Sequence, residues 1–432
     1  MNYFKRNFPE KNKLQNCLNG ISKEFDEYYQ SNTLKKDEFI RLHSSTLGKD
    51  ELISFSRAYL EGNITLGKYN ENYEKLACDI FNSNYAITSN SGSSANLIAI
   101  SSLVQAKKLN PGDKVIVPVL AWSTTVFPLV QYGLIPVYVD ISFDDFNLSK
   151  NAVEDCIKEH DIKAIMLIHT YGNPADLDFF VNLSKSKSIL LIEDNCESMG
   201  ATWNGKSTGS FGDVGTFSSY FSHHICTLEG GITVCKDKKL SDLMRSIRSH
   251  GWIRGLDIDK RKLEDFDEFD PSFLFLNTGY NLRLSDPQAA MGCIQINKLN
   301  KFVKSRESLA DRYIKNITNS SVLEKNVQFP IVDERASSSW FGFPILLPKL
   351  NYKLIPLIKD YLKNSRIETR PFLAGDFSKQ PVNKNFKNIC FNYCPNIHIF
   401  HKNSFALPCH QDLTLDNVDK VCETLECAII SI

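Results

Sequence analysis

Short apolar segments alternate with helix-like segments through the first half of the chain, and this alternation restricts the fold more than any other feature. The strand candidates are short apolar runs at residues 85–88, 115–119, 137–140, 164–169 and 189–193. Helix candidates separate several of them, at residues 95–109, 124–132 and 177–184. Short buried strands alternating with helices are typical of a largely parallel sheet covered on both faces. The sequence therefore predicts an α/β fold.

The pattern changes after Gly279, which indicates a second, smaller unit. Residues 285–312 are typical of a long amphipathic helix or a helix pair, and the remainder mixes a strand candidate at 341–347 with helix candidates at 352–364 and 416–432. A chain of 432 residues is too long for one small core. We predict three parts, which are an N-terminal extension at 1–40, a large domain at 41–300 and a small C-terminal domain at 301–432.

Composition and charge narrow the class of protein. The chain is 42% hydrophobic and 23% charged, which is ordinary for a globular enzyme. The chain has 50 lysines and arginines and 50 aspartates and glutamates. It therefore lacks the excess of basic residues that would predict nucleic-acid binding. The start of the chain has no signal-peptide core, and no apolar run reaches membrane-spanning length. Twelve cysteines without a regular framework favour reduced thiols. We therefore expect a cytoplasmic protein without nucleic-acid or membrane partners.

One cysteine cluster leaves a metal site as an alternative. Cys390 and Cys394 are followed by Cys409 and His410. This spacing matches no common zinc or iron–sulfur pattern, and buried free cysteines are frequent in proteins. The sequence therefore predicts no metal.

The segment SNSGSS, from Ser89 to Ser94, follows a strand candidate and opens a helix candidate. Backbone amides at a helix N-terminus bind phosphate well, and Gly92 would allow close approach. The hydroxyls of Ser93 and Ser94 could add donors. An ordinary helix cap is the alternative for a serine-rich turn.

Acidic and aromatic side chains follow other strand candidates. Glu193, Asp194 and Glu197 cluster at the end of one strand, and Trp122 lies just beyond another. Ligands bind at the carboxyl ends of such strands. A carboxylate there could keep a pyridinium nitrogen protonated, and the indole could stack on a flat heterocycle. A helix cap for each acid and a core position for Trp122 are the alternatives.

The stretch GDVGTFSSYFSHHICTLEGGITVC, residues 212–235, has two strand-like runs around a polar hinge. His223 and His224 are adjacent in this hinge, and an imidazole can move protons near neutral pH. Ser218 lies five positions before His223, where it could reach a phosphate. We expect His223 to be functional and His224 to point the other way in a structural role.

Together these segments resemble the DegT/DnrJ/EryC1/StrS family of nucleotide-sugar aminotransferases and dehydratases. The similarity begins near Leu52 and includes NSGSSANL, IEDNCESMGAT, GTFSSYFSHH, HGWIR, GYNLRLSDPQAAMG, SSSWFGF and ETRPFLAGDF. The resemblance implies the type I pyridoxal-phosphate-dependent, aspartate aminotransferase-like fold. That fold has a large, mostly parallel mixed sheet domain, which binds the cofactor, and a smaller α/β C-terminal domain. It also implies a homodimer with shared active sites.

The resemblance implies pyridoxal 5'-phosphate or pyridoxamine 5'-phosphate as the cofactor. Gly92, Ser93 and Ser218 would hold its phosphate. Trp122 would stack on its ring, and Asp194 would pair with the pyridine nitrogen.

Two positions depart from the aminotransferases of the family. His223 stands where they have the lysine that attaches the cofactor, and Glu197 stands where they usually have glutamine near the ring hydroxyl. The resemblance therefore implies a noncovalent cofactor and His223 as the catalytic base. It is greatest to the branch that dehydrates GDP-4-keto-6-deoxy-D-mannose at C3.

The remaining implied residues concern the substrate. His250 and Arg254 would lie near the sugar or its diphosphate. Phe273, Asn281 and Arg283 would reach in from the partner subunit.

A neighbouring branch, the CDP-sugar 3-dehydrases, shares the histidine and adds an iron–sulfur cluster. Cys196 matches one of its four ligands, but residues 250–270, where the other three would fall, contain no cysteine. Because such a cluster needs its thiolates, we expect none in this chain.

The resemblance implies that a nucleotide-linked 4-keto-6-deoxysugar loses its C3 hydroxyl to give a 4-keto-3,6-dideoxysugar, while glutamate restores the pyridoxamine form. His223 would move the protons with a pKa near the ordinary value of about 6.5. Three alternatives stay open. They are an aminotransferase that tolerates histidine, the same dehydration on a CDP-linked hexose or a heptose, and a catalytically silent, ligand-sensing relative.

Overall fold

The computed structural model describes residues 11–32, 39–253, 256, 266, 268–270 and 273–432. Within these residues the strands are β1 (Tyr85–Ser89), β2 (Lys114–Pro118), β3 (Ile135–Val139), β4 (Ile162–Ile168), β5 (Leu190–Asp194), β6 (Thr202–Trp203), β7 (Lys206–Ser207), β8 (Val214–Ser218), β9 (Gly231–Cys235), β10 (Ala336–Ser337), β11 (Phe343–Leu346), β12 (Arg370–Pro371), β13 (Cys390–Phe391) and β14 (Ser404–Leu407). The α-helices are α1 (Lys11–Asn32), α2 (Lys49–Leu60), α3 (Lys68–Ile80), α4 (Gly92–Gln105), α5 (Ser123–Gln131), α6 (Lys150–Glu159), α7 (Leu177–Lys187), α8 (Lys238–Arg248), α9 (Asp286–Asn319), α10 (Ser321–Asn326), α11 (Ile355–Asn364), α12 (Asn396–Asn403) and α13 (Leu415–Ile430).

One large mixed sheet forms the centre of the fold. Its strand order in the described residues is β1-β9-β8-β5-β4-β2-β3-β13. β9 runs antiparallel to both of its neighbours, β1 and β8, while the other neighbouring pairs are parallel. The predicted α/β architecture with a mostly parallel sheet is confirmed.

The central strands are apolar throughout because both faces of the sheet are covered. In β2, Val115 and Val117 belong to the core on one face, whereas Ile116 belongs to the core on the other. Successive side chains of a strand point to opposite faces, so a strand buried on both sides reads as a continuous apolar run.

A long helix, α9, connects the large sheet region to the C-terminal part. Ser285 and Gln288 form a capping box at its start, and Gly292 packs where an added Cβ would lie 2.6 Å from the Tyr73 ring. The segment predicted as a helix or helix pair at 285–312 is a single helix that continues to Asn319.

The C-terminal part has its own antiparallel sheet of β11, β14 and β12. Its core includes Tyr313, Ile358 and Leu425, and Ile40 packs in the same cluster. α9 crosses residue 300 without a break, and β13 pairs with β3 of the large sheet. The division into 1–40, 41–300 and 301–432 therefore stays a prediction.

The carboxyl ends of β1, β2, β5 and β8 lie at one edge of the large sheet because these strands share a direction. Ser89, Pro118, Asp194 and Ser218 end these four strands. This edge is where side chains from distant parts of the sequence can converge. Separately, none of the helices in the described ranges has the length and apolar character needed to cross a membrane.

Candidate active site

A cavity of about 430 Å³ lies at this edge of the sheet. Its volume is within the range of roughly 300–1,000 Å³ typical of small-molecule sites. Seven of the predicted site residues line it, namely Gly92, Ser93, Trp122, Asp194, Glu197, Ser218 and His223. Residues separated by more than 130 positions in the sequence thus line one cavity.

The N-terminus of α4 forms one end of the cavity. The Ser91 hydroxyl caps the helix by accepting the amide of Ser94 at 3.1 Å, and the Ser94 hydroxyl donates to Asn90 Oδ1 at 2.6 Å. Of the two roles that the sequence left open for Ser94, ligand donor or helix cap, the contacts of its amide and hydroxyl match the cap. The described residues give the amides of Gly92 and Ser93 no acceptor, so they are available to an anion at the positive end of the helix.

Gly92 allows α4 to approach the end of β8. A Cβ at this position would lie 2.6 Å from Ser218 Cβ and 3.0 Å from Cys196 Sγ. The absence of a side chain lets two helix amides and the Ser218 hydroxyl face the same small volume. This cradle suits a phosphate group.

Asp194 supplies a buried carboxylate whose orientation is fixed. Its Oδ2 atom accepts hydrogen bonds from Asn96 Nδ2 and Thr125 Oγ1, both at 2.9 Å. Its Oδ1 atom accepts the amide of Cys196 at 3.1 Å. A carboxylate held this way can pair with a protonated ring nitrogen without rearranging.

Trp122 is the N-cap residue of α5 and presents its indole at the cavity. Its side chain is 51% exposed, which is unusual for tryptophan. A flat ligand ring would cover this surface.

His223 is held by a backbone carbonyl. Its Nδ1 atom lies 2.6 Å from the oxygen of Cys196, and its ring packs 4.9 Å from the ring of Phe341. Because a carbonyl only accepts, Nδ1 carries the proton and Nε2 keeps its lone pair. Burial lowers the pKa of His223 to about 4, so the value near 6.5 that we expected is wrong. The imidazole is neutral at pH 7, which suits a base.

His224 has the structural role that we predicted. It is buried, and its Nε2 atom lies 3.0 Å from the carbonyl oxygen of Ser339. It is not among the residues that line the cavity.

Glu197 is the most perturbed acid of the cavity. Burial raises the pKa of this carboxyl to about 7, and the nearby Arg370 and the Tyr171 amide oppose the rise. The amide of Tyr171 donates to Oε2 at 3.1 Å. Glu197 can therefore carry or release a proton near neutral pH, which a glutamine at this position could not do.

Glu193, which we grouped with Asp194 and Glu197, faces away from the cavity. Its carboxylate accepts amides from Gly209, Phe211 and Gly212 at 2.7–2.8 Å, and His169 Nε2 lies 3.1 Å from it. Burial alone would raise the pKa of Glu193, but His169 and these amides bring it below its ordinary value. Glu193 is thus structural, because alternate residues of β5 point to opposite faces.

The structure adds residues that the sequence reasoning missed. Arg370 lines the cavity, with its guanidinium carbon 5.8 Å from the centre of the Phe341 ring. The described residues provide Arg370 with no carboxylate ion pair. Arg370 lies in the segment ETRPFLAGDF and Phe341 lies in SSSWFGF, and both segments carry the family resemblance. Their place in these segments was the signal that could have identified them.

Four predicted substrate residues lie outside the cavity lining. The amide of His250 donates to the Tyr280 carbonyl at 2.7 Å, and Arg283 Nε donates to Asn281 Oδ1 at 2.9 Å. Phe273 is 63% exposed. Arg254 lies outside the described residues. Within one chain these side chains do not complete the site.

The cavity thus combines an anion cradle, a fixed carboxylate, an exposed indole and a neutral imidazole. These groups fit a phosphate-bearing aromatic heterocycle with a protonated ring nitrogen. Among the described residues that line the cavity there is no lysine.

Comparisons with known proteins agree with this arrangement. The profile described as the DegT/DnrJ/EryC1/StrS aminotransferase family matches residues 46–426. The chain is 36% identical over 368 residues to a GDP-4-keto-6-deoxy-D-mannose 3-dehydratase of Escherichia coli O55:H7, covering 84% of this chain and 93% of that protein. It is 38% identical over 344 residues to the protein of the same name from Yersinia pseudotuberculosis, and this match covers 78% of this chain and 85% of that protein.

A solved structure extends the likeness to the fold. A crystal structure of GDP-4-keto-6-deoxymannose-3-dehydratase with a trapped PLP-glutamate geminal diamine superimposes with a TM-score of 0.82 at 33% identity. The match covers 89% of this chain and 99% of that one. The predicted type I pyridoxal-phosphate-dependent fold is confirmed.

Proposed function

The chain belongs to the DegT/DnrJ/EryC1/StrS aminotransferase family, and we propose that it removes the C3 hydroxyl of GDP-4-keto-6-deoxy-D-mannose. The product is the GDP-linked 4-keto-3,6-dideoxysugar, and glutamate is the amine donor. His223 carries this proposal, because a neutral imidazole occupies a cavity whose described lining contains no lysine. Relatives named for this dehydration at 36% and 38% identity support the choice of reaction and nucleotide.

The enzyme uses pyridoxal 5'-phosphate and its pyridoxamine form, bound without a covalent link. When bound, this cofactor supplies an amine for condensation with the C4 ketone and a conjugated ring that takes up negative charge. The amides of Gly92 and Ser93 and the Ser218 hydroxyl would hold its phosphate. Asp194 would keep the ring nitrogen protonated, and Trp122 would cover the ring. The cradle beside Gly92 and the three hydrogen bonds to Asp194 support these roles.

His223 moves the proton. The Cys196 carbonyl holds the Nδ1 proton in place, so Nε2 is the atom that accepts a proton. Once protonated, the buried imidazolium is a stronger acid than an ordinary one, because burial lowers the pKa of His223 from 6.5 to about 4. It can therefore return the proton to the departing C3 hydroxyl, which leaves as water.

Arg370 and Glu197 complete the polar wall. The Arg370 guanidinium, which lacks a carboxylate partner in the described residues, suits a carboxylate of glutamate. Glu197 would contact the ring hydroxyl of the cofactor, where its pKa of about 7 lets it donate or accept a hydrogen bond.

We propose a homodimer with shared active sites, in which His250 and Arg254 lie near the sugar or its diphosphate and Phe273, Asn281 and Arg283 reach in from the neighbouring subunit. One observation supports it. Phe269, Phe273, Phe275 and Leu276 are 51%, 63%, 51% and 43% exposed, which is a large apolar surface for an isolated chain.

A cytoplasmic location is part of this proposal. All twelve cysteines are free thiols, which is typical of a reducing compartment.

The test is product analysis. Enzyme loaded with pyridoxamine phosphate is incubated with glutamate and GDP-4-keto-6-deoxy-D-mannose, and in parallel with CDP-linked hexose and heptose analogues. We expect a GDP-sugar lighter by one oxygen atom, and no product from the variant His223→Asn. A product that keeps the C3 oxygen and gains nitrogen at C4 would make the enzyme an aminotransferase. Faster turnover of a CDP-linked analogue would overturn the choice of nucleotide.

A further inference from the structure

Tyr171 has a backbone conformation that tyrosine rarely adopts. It lies in a short turn after β4 with φ 52° and ψ 26°, and Gly172 follows with φ 90°. The left-handed region is unfavourable for side chains that carry a Cβ. Such strain persists only where the surrounding structure imposes it, and it concentrates at functional sites. Tyr171 does not line the cavity, so its conformation needs another explanation.

The packing of the ring holds Tyr171 in this conformation. The ring is 1% exposed and stacks on Phe372 with 4.9 Å between centroids. The hydroxyl is buried and makes no well-formed hydrogen bond in the described residues. The next residue, Gly172, leaves no room for a side chain, because a Cβ there would lie 2.6 Å from the amide nitrogen of Trp340.

The turn directs its two polar backbone atoms at the active site. The amide of Tyr171 donates to Glu197 Oε2 at 3.1 Å. Its carbonyl accepts the amide of Phe341 at 2.9 Å, and the Phe341 ring packs 4.9 Å from His223. One strained residue thus contacts the acid of the cavity and fixes the residue that packs against its base.

We propose that Tyr171 is a positioning residue, whose left-handed backbone aims an amide at Glu197 and so leaves Oε1 of that carboxyl toward the cavity. The role in turnover rests on the proposed dehydration, but the contact itself does not. An amide donor favours the ionised carboxylate. The other charged groups that act on Glu197 are Arg370, which lowers its pKa, and Asp194, which raises it.

The first experiment uses the unaltered enzyme without cofactor. In protein labelled with ¹⁵N-tyrosine, the resonance missing from Tyr171→Phe identifies the Tyr171 amide. We expect its amide shift to titrate near neutral pH in step with Glu197, and this titration to vanish in Glu197→Gln. An amide that does not titrate, or that titrates equally in Glu197→Gln, would overturn the contact.

The second experiment separates backbone geometry from ring packing. Tyr171→Asn and Tyr171→Val both remove the ring, but asparagine tolerates positive φ whereas valine does not. We expect the pKa of Glu197, followed by ¹³C-carboxyl labelling, to rise in the valine variant and to stay near the wild-type value in the asparagine variant. The kcat should fall roughly tenfold or more in the valine variant only, the size of effect expected for losing one hydrogen bond to a charged group.

If the pKa of Glu197 rises equally in both variants, the loss of ring packing causes the rise and the backbone conformation does not. That result would refute the proposal. If neither variant folds, the amide titration of the unaltered enzyme decides alone. If the enzyme proves not to be a dehydratase, both titrations still test the contact, so the two failures are distinguishable.

Discussion

Replacing Gly92 by alanine tests the anion cradle, because the added methyl group has no room there. Its Cβ would lie 2.6 Å from Ser218 Cβ and 3.0 Å from Cys196 Sγ. Carbon atoms in contact are about 3.5–4.0 Å apart, so the start of α4 must retreat from β8 by roughly 1 Å. Rotation of the Ser218 side chain cannot relieve the clash, because its Cβ is fixed to the backbone of the strand.

Two effects of different size follow. Overpacking of this kind costs about 1–3 kcal/mol of folding free energy. The retreat also lengthens the hydrogen bonds from the Gly92 and Ser93 amides to a bound phosphate. Losing one hydrogen bond to a charged group weakens binding by roughly 10–100-fold. We therefore expect a lower unfolding midpoint for the cofactor-free variant and a dissociation constant for pyridoxamine phosphate raised by at least tenfold, measured by titrating the cofactor's absorbance.

Two further variants make the experiment decisive. Gly20→Ala, in α1, is the matched control, because a Cβ there meets nothing within 4 Å. Its affinity for the cofactor should not change, and its unfolding midpoint should not fall, since alanine is favoured over glycine inside a helix. Ser218→Gly combined with Gly92→Ala removes the obstructing atom, so the double variant should unfold at higher temperature than additivity predicts. If Gly92→Ala binds the cofactor within threefold of wild type and unfolds at the same temperature, the reasoning about the cradle is wrong.

Three other outcomes are expected. Borohydride reduction should leave no cofactor on any lysine of the wild type, whereas His223→Lys should form a covalent adduct and lose dehydration; an adduct on a wild-type lysine would contradict noncovalent binding. Burial raises the pKa of Glu197 from 4.5 to about 7, so this carboxyl binds its proton more tightly in the folded chain and destabilises the fold as pH rises through that interval. Between pH 4.5 and 7, the free energy of unfolding of Glu197→Gln should therefore rise relative to that of the wild type, on the order of 1–3 kcal/mol by chemical denaturation. A difference in stability that does not change with pH would refute the raised pKa. Finally, His223→Asn and Asn281→Ala, each inactive alone, should regain part of the activity when refolded together, since one site of a mixed dimer is intact; activity of an isolated monomer would exclude shared sites.

The sequence could predict the central strands because they are buried on both faces and therefore read as apolar runs. It also placed Gly92, Asp194, Ser218 and His223 together, because each follows or ends a strand and the carboxyl ends of parallel strands meet at one edge. These positions depend on local pattern and sheet direction alone.

Other features depend on packing that no local pattern contains. Arg370 reaches the cavity from β12 in the C-terminal sheet, and the turn at Tyr171 depends on an aromatic cluster that includes Phe372. The depressed pKa of His223 depends on burial, which spacing does not reveal. The hydroxyl of Ser94 could be a ligand donor or a cap by sequence, and only its contact with Asn90 decides between the two.

The most direct test of the central claim measures where the amine nitrogen of glutamate goes. Glutamate supplies the amine for each turnover, and dehydration leaves no nitrogen in the sugar, so that nitrogen must leave as ammonia. Ammonia, 2-oxoglutarate and the deoxygenated GDP-sugar should therefore form in equal amounts in one reaction, measured by enzymatic assay and mass spectrometry. Formation of 2-oxoglutarate without ammonia, together with an aminosugar that keeps its C3 hydroxyl, would contradict dehydration and make His223 the base of a transamination.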